Sequence, residues 1–125
     1  MADQKLFDLS IEEWQEQRGS LNEKVLAIAG LEIKRFFSLD GQAYRDGALG
    51  AKTKELLGLV ASLVLRCDDC ILYHVIRCRE EGLTTDEFQE ACAVGLVVGG
   101  SIVIPHLRRA VARWEELIED ERKKG

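Results

Sequence analysis

Between Leu59 and Gly82 the chain contains neither Gly nor Pro, and all 125 residues hold a single Pro. A stretch of that kind favours helix, and the plentiful Leu, Ala, Glu and Lys reinforce the preference. No segment alternates apolar and polar residues convincingly enough to be a half-buried strand. The expected fold class is therefore all-α, with about six helices in a single domain spanning 1–125.

The start and stop signals set the expected boundaries. Ser10-Ile11-Glu12-Glu13 fits a capping box and opens a first helix that ends near Gly19. Val25, Ile28, Ala29, Glu32, Ile33 and Phe36 mark an amphipathic second helix from about Asn22 to Ser38. Leu39–Gly50, with three glycines, reads as a loop with one turn at most. A third helix starts near Ala51, and its wide apolar set through Val64 makes it central. The fourth runs from Asp68 to about Glu81, with Gly82 as the C′ residue. Thr84 or Thr85 caps a fifth helix that reaches about Val98. Gly99-Gly100 then breaks the chain before a sixth helix, which begins at Ser101 or Pro105 and ends near Glu121.

The bulk numbers exclude some function classes. A net charge of −5 argues against a nucleic-acid partner. Met1–Lys5 lacks the apolar region of a secretory leader. Val94–Pro105 is apolar but too short to span a membrane. A cytoplasmic chain with reduced thiols is expected, and there a CxxC motif points to redox or metal chemistry.

That motif is Cys67-Asp68-Asp69-Cys70, followed by His74. Two thiols at i and i+3 in the first turn of a helix lie within disulfide reach. His74 falls over the same helical face as Cys70. Glu55 lies upstream, and an unbroken rod would hold it roughly 18 Å from Cys67. A shared site therefore requires a bend near Arg66–Cys67. With that bend, Cys67 meets a helix N-terminus, where a thiolate is favoured. A neutral His74 can take a proton from Cys70, and Glu55 can fix its tautomer.

Blander readings stand beside these. Glu55 also reads as a surface partner on its own helix. Zinc needs a fourth ligand beyond Cys67, Cys70 and His74, which Cys92 or His106 would have to supply by folding in. Cys78 and Cys92 sit on apolar stripes and read as core residues. His106 reads as a cap or surface residue. Trp14 and Trp114 read as packing or subunit-contact residues, Tyr73 as a site-mouth or buried residue, and Arg66 as solvated.

The pattern Glu55, eleven residues, Cys67-x-x-Cys70, three residues, His74 resembles the signature of the alkylhydroperoxidase D-like (AhpD-like) branch of the carboxymuconolactone decarboxylase superfamily. Its flanks agree. Asp46-Gly47-Ala48-Leu49 and Lys52-Thr53-Lys54-Glu55-Leu56 look like the approach to the catalytic helix, and Gly82-Leu83-Thr84-Thr85-Asp86-Glu87 like the turn after it. The resemblance spans about Phe36 to Glu116. It implies an AhpD-like all-α bundle, oligomeric as a homotrimer or as a homohexamer built from dimers, with no cofactor and no metal.

The resemblance also implies a function. A thiol-dependent peroxidase or disulfide reductase would use Cys67 and Cys70 as the redox pair and His74 and Glu55 as the proton relay. Its partners would be a hydroperoxide and a dithiol or protein electron donor. Which cysteine attacks first stays open: the helix terminus favours Cys67 and closeness to His74 favours Cys70, and the expectation leans to Cys70, with Cys67 as the more exposed resolving thiol. The member that names the branch has His where Asp69 stands here, so the relay carried over rests on His74 and Glu55. Two alternatives remain: a carboxymuconolactone-type decarboxylase with His74 as acid or base, and a non-catalytic, thiol-sensing oligomer.

Overall fold

The computed structural model describes residues 8–125, and every regular element among them is helical. The leader reading at Met1–Lys5 lies outside the described residues. The chain forms two compact units, one ending at Arg45 and one spanning Asp46–Gly125.

The first unit contains α1, Ile11–Ile28, and α2, Leu31–Ala43. Ser10 caps α1 as expected. Its hydroxyl accepts from the Glu13 N–H at 3.1 Å, and Glu13 Oε1 accepts from the Ser10 N–H at 2.9 Å. Two expected boundaries are corrected here. Helix α1 continues through Gly19, because one glycine among good helix formers costs only about 1 kcal/mol and does not end a helix. The break falls instead at Ala29 and Gly30, whose backbones are extended. Helix α2 then runs past Gly41 to Ala43, so the expected loop shortens to 44–50.

The second unit contains α3, Ala51–Leu65; α4, Asp68–Glu80; α5, Thr85–Gly99; a 3₁₀ turn, Ser101–Val103; and α6, Ile104–Lys124. Asp46 Oδ1 accepts from the first N–H of α3 at 2.7 Å. Thr84 and Glu87 close a capping box on α5. Gly82, at φ 88°, follows α4 as its C′ residue. Pro105 occupies the first turn of α6, where its missing N–H is harmless.

The core of this unit gathers buried residues at helical spacing: Leu59 and Leu63 of α3; Ile71, Val75 and Cys78 of α4; Phe88 and Cys92 of α5; Ala110 and Trp114 of α6. Cys78 and Cys92 are thus core residues, as read. Trp114 is a packing residue: it stacks on Phe88 at 4.4 Å between ring centroids and donates from Nε1 to Thr85 Oγ1 at 3.0 Å. No described helix is long and apolar enough to cross a membrane.

The bend the site requires is present. Arg66 adopts the left-handed conformation, φ 59° and ψ 42°. Its N–H bonds the Leu63 carbonyl at 3.1 Å, and the Cys67 N–H bonds the Ser62 carbonyl at 3.2 Å. These two bonds form a Schellman motif, which ends α3 and lets α4 fold back on it. Arginine occupies a position that usually goes to glycine, at a cost of about 1–2 kcal/mol. Arg66→Gly is expected to raise the unfolding free energy by about 0.5 kcal/mol, part of the relief being lost to backbone entropy. Arg66→Val should lower it by about 1–2 kcal/mol, since a β-branched residue fits this conformation worst. Urea unfolding of the two variants tests the ranking; a valine variant as stable as the wild type would contradict it.

Candidate active site

Once the turn at Arg66 reverses the chain, the buried stripe of α3 faces that of α4. On α3 the stripe is Glu55, Leu59, Ser62 and Leu63; on α4 it is Ile71, His74, Val75 and Cys78. Glu55 and His74 meet there, with Oε1 2.9 Å from Nδ1. Glu55 is 1% exposed and His74 7%. The surface reading of Glu55 is therefore corrected: the fold-back buries its side chain against α4.

A carboxylate buried this deeply is tolerated only with partners that offset its lost hydration. His74 takes one oxygen. The other lies 3.6 Å from Nε of Arg77, a residue the sequence reading did not single out. Arg77 also donates through Nη1 to Glu80 at 2.5 Å. The Glu80 hydrogen bond first, and the charges of Glu80 and Glu55 with it, hold the guanidinium above its ordinary pKa, so it stays cationic. The signal was in the spacing: Arg77 is three residues after His74, on the same face of α4.

Gly58 was missed for the same reason. It stands three residues after Glu55, and the His74 ring lies directly against its Cα. A Cβ built at Gly58 would come within 2.7 Å of Nε2 and 2.8 Å of Nδ1. Tyr73 meets the ring edge-on, 5.1 Å between centroids, and is half-buried. The imidazole is thus fixed by a carboxylate, a bare backbone and an aromatic edge.

Cys67 and Cys70 are joined as a disulfide with Cα atoms 5.3 Å apart. Cys67 is the N-cap of α4, and its sulfur accepts from the Cys70 N–H at 3.2 Å. Cys70 is exposed and Cys67 half-buried, the reverse of the exposure order expected. The physical reason is positional. Cys67 is anchored by its own N–H to the end of α3, whereas Cys70 sits one residue off the buried stripe of α4.

Next to Cys67, Asp68 is bound by two residues of α6. His106 Nδ1 lies 2.8 Å from Oδ1, and Arg109 Nε 3.0 Å from Oδ2. His106 is therefore neither a cap nor a plain surface residue. Among the described residues no group of three or more His, Cys, Asp or Glu side chains is placed to hold a metal ion.

The remaining thiols are chemically quiet. Burial pushes Cys78 up to about 12, helped by the charge of Glu55, and burial alone pushes Cys92 up to about 11. The raised values keep both as neutral thiols at any pH below those points. Alkylation of the reduced, folded protein at pH 8 should therefore label Cys67 and Cys70, and reach Cys78 and Cys92 only after unfolding. Mass mapping decides this; rapid labelling of Cys78 in the folded state would contradict it. Gly58→Ala should lower the unfolding free energy by about 1–3 kcal/mol, since the ring must leave its seat. A displaced or broadened His74 imidazole resonance in the variant would report the movement, and an unchanged one would refute it.

Residues 33–113 match the model of the carboxymuconolactone decarboxylase family. The chain is 32% identical, over 66% of its length and 74% of the other's, to uncharacterised protein 4 in the cox locus of Paracoccus denitrificans. Its fold is similar to that of TM1620 from Thermotoga maritima, with TM-score 0.85, 62% identity, and coverage of 86% of this chain and 95% of that one. A second structure of that protein, at TM-score 0.84 and 60% identity, covers 87% of this chain and 92% of its own. It is described as a family member for which a part in the antioxidative response has been suggested. The lpg0406 protein of Legionella pneumophila shares the fold at TM-score 0.70 and 24% identity, covering 85% of this chain and 91% of its own. With a matched model over most of its length and the Glu55–Cys67–Cys70–His74 set of the AhpD-like branch, the chain belongs to the carboxymuconolactone decarboxylase family.

Proposed function

We propose that the protein is a thiol-dependent peroxidase or disulfide reductase that cycles through the Cys67–Cys70 bond. The observation that supports this reading best is the buried Glu55–His74 pair, whose His74 stands on the same short helix as an exposed, disulfide-bonded Cys70. A disulfide with one exposed sulfur can be opened by an external thiolate, and a fixed imidazole nearby can manage the protons. The suggested antioxidative role of the Thermotoga relative points the same way.

The cycle starts from the reduced pair. His74, with Nδ1 held by Glu55, exchanges a proton through Nε2 and takes the one on Cys70. The Cys70 thiolate attacks the terminal oxygen of a hydroperoxide. The O–O bond breaks, Cys70 becomes a sulfenic acid, and the alkoxide leaves as an alcohol with the proton from His74. The Cys67 sulfur then attacks the sulfenic sulfur, forming the disulfide and releasing water. Regeneration runs through the exposed sulfur. A thiolate of an external dithiol or protein donor attacks Cys70, and the electron pair of the broken S–S bond goes to Cys67. The second donor thiol then completes the reduction. One peroxide and two donor thiols become one alcohol, one water and one donor disulfide. A reducing compartment such as the cytoplasm would keep the pair cycling.

The homo-oligomer forms part of the same proposal. Val97 is 84% exposed, and Val94, Val98 and Ile102 beside it are exposed too. A run of apolar side chains of this kind fits a subunit contact better than water. Light scattering is expected to give a trimer or a hexamer.

Cys70→Ser is expected to abolish hydroperoxide-dependent oxidation of an external dithiol, because no sulfenic acid can form at the exposed position. His74→Asn should slow it by about a hundredfold, the usual contribution of one general acid–base group. Turnover measured as peroxide consumed with dithiol lost tests both. Retained peroxide turnover in Cys70→Ser would rule the thiol cycle out. Lactone decarboxylation that survives Ser at both Cys67 and Cys70 would assign the site to His74 and Glu55 alone.

A further inference from the structure

Beside the thiol pair, and apart from the Glu55–His74 pair, His106 and Arg109 of α6 converge on Asp68, the first residue of α4. Its Oδ1 lies 2.8 Å from His106 Nδ1, and its Oδ2 lies 3.0 Å from both Nε and Nη2 of Arg109. The Asp68 and His106 side chains are each only 18% exposed. Asp68 is not needed as a helix cap, since Cys67 already accepts the free N–H of Cys70. What Asp68 does have is an awkward place: a carboxylate one residue from a sulfur whose reactive form is also an anion. Unpaired, it would oppose the help that the helix N-terminus gives to a Cys67 thiolate.

Resting on the thiol–disulfide reading above, we propose that Arg109 is a positioning residue for the Cys67 sulfur. It pairs with Asp68, with His106 steering the other carboxylate oxygen, and so removes the repulsion next to the sulfur. The helix N-terminus is then left to stabilise the thiolate that departs when an external thiol opens the bond at Cys70. In that step the new S–S bond forms at Cys70 and the displaced electron pair rests on Cys67, the sulfur beside the neutralised carboxylate. Arg109 touches neither substrate nor sulfur in this account and acts through Asp68 alone.

The other charged groups bordering the pair are few. Arg66 precedes Cys67 in the turn and is exposed, and Asp69 is exposed on the far side of Asp68. From α3, Glu55 is occupied by His74 and Arg77. Arg109 is thus a cation from a neighbouring helix that bears directly on Asp68.

The test is the pH profile of iodoacetamide alkylation at Cys67 in the reduced full-length chain, mapped by mass. Arg109→Gln is expected to move the midpoint to higher pH and slow labelling at pH 7 by about threefold. Asp68→Asn, which leaves the cation without its anion, is expected to move it the other way by a similar factor. The double variant should return close to wild type. Opposite signs are the decisive feature, because mere loosening of the α4–α6 contact would move both single variants alike. Shifts in the same direction, or an unmoved profile in Arg109→Gln, would overturn the proposal. The assay uses no peroxide, so its outcome is separate from that of the peroxidase reading: opposed shifts without peroxide turnover would sink only the latter.

Discussion

A carboxylate that is 1% exposed organises this molecule. The hydration that Glu55 loses on burial must be offset at both oxygens, and both partners come from the next helix. His74 and Arg77 must therefore lie on the face of α4 that packs against α3, which fixes the rotation of α4 about its axis. That rotation sets Cys70 off the buried stripe and leaves it exposed. It also brings the His74 ring against Gly58, where any side chain would collide with it. The site is thus a consequence of burying one charge correctly, and the apolar core of Leu59, Leu63, Val75 and Cys78 packs around that constraint.

The left-handed residue at Arg66 makes the arrangement possible. A straight continuation of α3 would keep Glu55 and the sulfurs on one rod and apart. The Schellman turn ends α3, supplies a fresh helix N-terminus at Cys67 and brings α4 back antiparallel within four residues, Ser62 to Cys67 bracketing it by one hydrogen bond. Backbone strain at a single position is exchanged for a site with one cysteine at a helix end, one exposed cysteine and a buried Glu55–His74 pair.

Much of this was legible in the sequence. The all-α class followed from helical spacing and the near absence of proline. The spacing of Cys67, Cys70 and His74 put those residues on one helix, and the capping residues Ser10, Thr84 and Gly82 marked real helix ends. Other features were hidden for identifiable reasons. Gly19 and Gly41 looked like breaks, but a lone glycine weakens a helix without ending it. The true break at Ala29–Gly30 carries no Pro and no cap side chain. Gly58 and Arg77 stand three residues after Glu55 and His74, so their spacing was on view, but what each meets is a contact between helices that spacing alone does not identify. The pairing of Asp68 with His106 and Arg109 joins residues about forty positions apart, beyond the reach of any local spacing rule.

The central claim is that Cys67 and Cys70 form one two-electron centre served by His74 and Glu55. Titration of the fully reduced protein with a single equivalent of alkyl hydroperoxide, followed by thiol counting and mass mapping, addresses it most directly. The account predicts the loss of two thiols per peroxide, one equivalent of alcohol, and a single new link between Cys67 and Cys70, with Cys78 and Cys92 untouched. Recovery of all four thiols with the peroxide intact, or oxidation that stops at one cysteine with no link to the other, would contradict it.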